Sequence, residues 1–234
     1  MLEAIETTNS HEYFALLLQC AGPVLFMALQ ASCVSVALEI QIMKSVKKLS
    51  AIPFACLLSN GVVWTIYGWL KNDNTILIPN ISSVLAGVFC LYVFYKYSLV
   101  KPNQLYGMVT CFIVLVMILG SNNDTATIGF IGCGMSILMS GSPLAVISTV
   151  IKEKSTAALP FWTSFVTWMN TLSWVLYGQF IAHDPIIFIP NYLGLALASF
   201  QMLLFVIYGF TPPRVTAMEG ELSKESKDGN LYNI

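Results

Sequence analysis

The chain has 234 residues, 56% of them hydrophobic and 10% charged, with a mean hydropathy of +0.73. A soluble domain carries about 25% charged residues, so this composition excludes a water-soluble globule and implies several lipid-embedded spans of ~20 residues each. A formal net charge of −1 without a basic patch excludes a nucleic-acid partner.

The N-terminal residues carry Glu3, Glu6 and Glu12 where a signal peptide would have a basic region, so no cleaved leader is expected. Hydropathy and loop punctuation then predict seven helices, at 18–43, 52–70, 76–96, 105–120, 126–150, 160–181 and 186–209. The first could start as early as Tyr13. The expected fold is an all-α membrane protein. Cys20, Cys33, Cys56, Cys90, Cys111 and Cys133 all lie inside predicted spans, with no CxxC or Cys/His cluster, and read as packing residues. No metal, cofactor or catalytic motif is recognisable, and the chain is not expected to be an enzyme.

Lysines set the orientation. Lys44, Lys47, Lys48, Lys96, Lys101, Lys152 and Lys154 fall on one side, together with Arg214, Lys224 and Lys227 of the tail; only Lys71 lies opposite. The N-terminus is therefore expected outside and the tail, residues 211–234, cytosolic and disordered. Asn123-Asp124-Thr125 is a glycosylation sequon in an outer loop.

The chain repeats itself. WTIYG at 64–68 returns as WVLYG at 174–178, Asn60 as Asn170 and Ser45 as Ser155, each 110 positions on. Pro79-Asn80 returns as Pro190-Asn191 after 111, and Pro53 as Pro160 after 107. The chain thus divides into a first three-span unit (1–97, with the N-terminal segment), a linker span (98–125), a second three-span unit (126–210) and the tail. A single linker span gives both units the same orientation, the parallel-repeat plan of carriers whose sites lie near the bilayer midplane.

These elements resemble the SWEET sugar transporters: SPLAVISTVIKEKSTAALPF (142–161), KSVKKLSAIPF (44–54), the two W-x-x-YG elements and the two Pro-Asn pairs. The related PQ-loop carriers fit less well, because Pro143 is followed by Leu144. The resemblance implies passive, bidirectional movement of small sugars, hexoses foremost, by alternating access. It assigns substrate contact to Asn80 and Asn191, with Trp64, Trp174, Asn60 and Asn170 around them. It assigns hinges to Pro53, Pro143 and Pro160, with Cys33 at the fourth hinge position, and an outer gate to Tyr67 and Asp184. Its partners would be a sugar, the bilayer and further copies of the chain; the plasma membrane is expected, an internal membrane remaining open.

The residue chemistry bears on each assignment. A carboxamide offers a sugar one acceptor and two donor hydrogens, and an indole suits its CH face. The alternative for the asparagines is glue between helices, and for the tryptophans an interfacial belt, to which Trp69, Trp162 and Trp168 are assigned. Pro143 should bend the fifth span, whereas Pro53 and Pro160 sit where proline is tolerated. Asp184 reads on its own as a solvated loop carboxylate. No ionisable residue lies near a span centre, which disfavours proton coupling. Other readings are a carrier of another small polar solute, a seven-helix receptor, and a sorting or lipid-handling protein on the same scaffold; an internal repeat with uniformly short loops argues against the receptor.

Overall fold

The computed structural model describes residues 2–210, with the side chains of residues 12–141 and 143–210. The helices are α1 (Leu2–Met43), α2 (Ile52–Leu70), α3 (Asn74–Tyr97), α4 (Asn103–Ser121), α5 (Thr125–Met139), α6 (Gly141–Glu153), α7 (Phe161–Phe180) and α8 (Pro185–Tyr208), with a 3-10 turn at Thr156–Ala158. No strand occurs among the described residues. The expectation for residues 211–234 lies outside them.

Two differences from the predicted spans have physical causes. The first helix begins well before residue 18, since nothing in the preceding segment breaks a helix. The predicted fifth helix is two, α5 and α6, meeting at Ser140. Proline lacks an amide hydrogen and clashes with the carbonyl four residues back; for Pro143 that carbonyl belongs to Met139, the last residue of α5. The equivalent position in the first unit is Cys33, which keeps its amide, and α1 runs unbroken through it. Its carbonyl also accepts from Cys90 Sγ of α3 at 3.6 Å.

Among the described residues six helical segments, α5 and α6 counted as one, are long and apolar enough to cross a membrane. The twenty-residue α7 is less apolar because of Ser164, Asn170, Thr171 and Ser173, all buried, so its polarity faces protein. Large apolar side chains such as Leu85, Met108, Phe130 and Val206 are exposed around the bundle, as lipid contact requires. Trp69 and Trp162 are also exposed, near helix ends, whereas Trp168 donates from Nε1 to Ser199 Oγ at 2.9 Å.

Within the first unit α3 packs against both α1 and α2; within the second α8 packs against α5 and α7. Gly87 permits the α2–α3 approach, because a Cβ there would lie 2.8 Å from the Leu58 backbone. The units touch through α1 on α7 and α5 on α2, and α4 rests on α2 and α5. This is a 3+1+3 arrangement of two parallel repeats. Val63, Ile66, Ile76, Ile128 and Ile187 form the core where the units meet, and a smaller cluster of Ile147, Val150, Leu159, Leu204 and Phe205 holds the far end of the second unit.

Candidate functional site

α2 and α7 face each other across a cavity of about 100 Å³. Its lining is Phe26, Asn60, Trp64, Ile76, Asn80, Ser136, Asn170, Trp174, Ile187 and Asn191. All six residues assigned to substrate contact are therefore brought together. The lining also consists of five repeat-related pairs, each 110 or 111 positions apart. Phe26, Ser136, Ile76 and Ile187 were not singled out from sequence, although the same offsets point to them. No charged side chain lines the cavity.

The amide nitrogens of Asn80 and Asn191 bond within their own helices and not across to a neighbour. Asn80 Nδ2 donates to Ile76 O at 2.8 Å and Asn191 Nδ2 to Ile187 O at 2.7 Å, each within its own helix. That bond fixes the amide, because turning it over would set two acceptors against each other. The oxygen of Asn80 is consequently left without a protein partner. The buried side-chain oxygens of Asn60, Asn80 and Asn170 have no protein partner, a costly arrangement unless a donor from elsewhere meets them. Three acceptors around a small neutral cavity suit a ligand rich in hydroxyl donors.

The tryptophans are cavity walls, not belt residues. Each is buried and packs edge-on against the tyrosine one turn further along, Trp64 on Tyr67 at 5.5 Å and Trp174 on Tyr177 at 5.8 Å between ring centroids. Each is also seated on a glycine of the other unit. A Cβ at Gly22 would come within 3.3 Å of the Trp174 indole, and one at Gly132 within 3.2 Å of that of Trp64. These glycines are 110 positions apart, a match readable in the sequence but not singled out.

Above the tryptophans the bundle is tied shut twice. Tyr67 Oη donates to Asp184 Oδ2 at 2.7 Å, and Tyr177 Oη donates to Asp73 Oδ2 at 2.6 Å. Both bonds cross between units. In each aspartate the other oxygen caps a helix: Asp73 Oδ1 accepts from the amides of Thr75 and Ile76, and Asp184 Oδ1 from that of Ile186. Lys71 Nζ adds an ion pair to Asp184 at 3.0 Å. Asp184, read from sequence as solvated, is 5% exposed; the tyrosine and lysine that enclose it come from the other unit and are invisible to local reading. Asp73 and Tyr177 were missed, though each repeats a residue of the first pair.

The assigned hinge prolines lie apart from the cavity. Pro53 is in the first turn of α2, Pro160 precedes α7 as its N-cap, and Pro143 lies just past the α5–α6 break. Cys33 packs at the α1–α3 contact.

Residues 16–102 and 126–212 each match the family described as sugar efflux transporters for intercellular exchange. The bidirectional sugar transporter SWEET17 of Arabidopsis thaliana is 28% identical over 79% of this chain and 80% of its own, and SWEET7 of the same plant 30% over 74% and 72%. The sugar transporter SWEET1 of Caenorhabditis elegans is 29% identical over 74% of this chain and 59% of its own. The solved structure of a eukaryotic SWEET transporter superposes with a TM-score of 0.71 at 24% identity, covering 83% of this chain and 96% of that one, a likeness of fold.

Proposed function

We propose, from the premise that this chain belongs to the SWEET family, that it carries small sugars passively and in both directions across a membrane by alternating access. It is a multi-pass integral membrane protein and a transporter, not an enzyme. The observation that carries the reading is the cavity between the repeats, in which four carboxamides and two indoles converge and three amide oxygens have no protein partner. A sugar supplies hydroxyl donors for the first and CH faces for the second. The cavity lies well below the ~300–1,000 Å³ usual for drug-sized ligands, which supports a monosaccharide, a hexose, over a disaccharide.

Asn80 and Asn191 are the jaws in this reading, with Asn60 and Asn170 one turn before the tryptophans on α2 and α7. The two tyrosine–aspartate ties form the outer gate, closed here, and the gate is thus Tyr67, Asp184, Tyr177 and Asp73 in place of one pair. Pro53, Pro143 and Pro160 are hinge candidates, of which the break at Ser140 gives Pro143 the most support. The units 1–97 and 126–210 move against each other with 98–125 as linker. The lysine distribution supports an outside N-terminus and a cytosolic tail; the plasma membrane is the candidate location, and further copies of the chain are candidate partners. Counterflow of radiolabelled glucose in proteoliposomes tests this: saturable exchange is expected, and exchange of other polar solutes without any sugar would refute it.

A further inference from the structure

The two repeats differ along one path. Below the central cavity, towards the lysine-rich end, the second unit contains a further space of about 260 Å³ between α5, α6, α7 and α8. It adjoins the central cavity through Asn60, Ser136, Asn170 and Asn191, which line both. One face of α8 supplies Gly194, Ala198 and Gln201, with the two small residues making the room. Gln201 is 6% exposed and has no hydrogen-bond partner among the described residues. Its carboxamide lines the space and offers an incoming ligand both donors and an acceptor.

In the first unit the corresponding helices are lined differently and tied together. Counted by the repeat offset, Ser136, Thr167 and Gln201 correspond to Phe26, Leu57 and Cys90. These three positions are polar in the second unit and apolar in the first, whereas Asn170, Asn191 and Ser140 keep polar counterparts in Asn60, Asn80 and Gln30. Gln30 Nε2 bonds Pro79 O at 3.2 Å and accepts from Ser82 Oγ at 2.9 Å, which closes α1 on α3. With the break at Ser140, α6 meets α8 at the far end, through Ile147, Val150, Leu204 and Phe205, whereas unbroken α1 lies along α3 in the first unit. Polarity gained at three aligned positions, where packing would favour apolar residues, marks this space as wetted by a ligand.

We propose that the space around Gln201 is a second docking site for a neutral monosaccharide, placed on the route between the central cavity and the lysine-rich end, and that only the second repeat carries one. The proposal rests on the sugar-transport reading. Gln201 and Thr167 contact the sugar, Gly194 and Ala198 admit it, and the absence of charge in the lining selects against ionised solutes. Sugar leaving the Asn80–Asn191 jaws rebinds here before release, so the route through the protein is one-sided although the central cavity is symmetric.

Equilibrium dialysis of the purified full chain against radiolabelled glucose tests it. Wild type is expected to bind two sugars per chain. Gln201→Leu should bind one, with the dissociation constant of the central site changed less than twofold, while its counterflow rate falls about fivefold, the loss expected for roughly one hydrogen bond. Thr167→Val, nearly isosteric, guards against a misfolded leucine variant and should weaken the second site alone. One sugar per wild-type chain, or two in both variants, overturns the second site and leaves the transport reading standing. No sugar bound by well-folded wild type overturns both.

Discussion

Replacing Tyr177 by phenylalanine removes one hydroxyl and leaves the ring that packs on Trp174. The lost bond is 2.6 Å long and ends on a carboxylate, a class of bond worth ~1.5–3 kcal/mol. Because the bond crosses between units, its loss falls on the gate-closed state alone and should raise the open population about 10- to 150-fold. Tyr67→Phe breaks the symmetric bond at 2.7 Å and should act to a similar extent. Lys71→Met should act less, since the lysine side chain is 42% exposed and such partly solvated pairs contribute under ~1 kcal/mol. Opening the gate separates the first turns of α3 and α8 from the facing unit, so hydrogen exchange at residues 74–77 and 186–188 reports it. Both tyrosine variants should exchange at least tenfold faster there than wild type. Wild-type protection in Tyr177→Phe, with protection lost in Tyr67→Phe, would refute the doubled gate and leave a single pair.

Gly22→Ala and Gly132→Ala should each lower sugar flux about 2- to 13-fold through indole strain of ~0.5–1.5 kcal/mol, with membrane abundance unchanged, because alanine is the better helix former; flux at the wild-type level would show that the indoles yield freely. Cys33→Pro would remove an amide from unbroken α1 and press on the Leu29 carbonyl, at a cost of ~3 kcal/mol, lowering the melting temperature measured by circular dichroism. An unchanged melting temperature would mean that α1 is already free to kink. Collapsing a proton gradient with an uncoupler should leave flux unaltered, since no charged side chain lines the cavity; strong inhibition would contradict passive transport.

The repeat offset made much of this architecture legible. Residues related by 110 or 111 positions define the helices of the cavity, and the asparagine and tryptophan pairs were readable because those residue types are conspicuous in apolar spans. Ile76, Ile187 and Phe26 were not, since an apolar residue in a span carries no mark of which side it faces. Asp184 was misread because its burial depends on Tyr67 and Lys71, 117 and 113 positions away. The asymmetry around Gln201 was hidden for a different reason. A repeat search rewards identity, and here the informative positions are those where the repeats disagree: serine for phenylalanine, threonine for leucine, glutamine for cysteine. Pro143 against Cys33 was noticed as one such disagreement, and its consequence is a broken helix in one unit facing an unbroken one in the other.

The central claim is that sugar passes between the two asparagines of the repeats, and counterflow of radiolabelled glucose by the Asn191→Ala protein tests it most directly. The amide of Asn191 bonds only its own helix backbone, so its removal should leave the protein folded and as abundant in the proteoliposomes as wild type. The account predicts saturable exchange by wild type and its loss in Asn191→Ala at equal protein content. Undiminished exchange in that variant would contradict it.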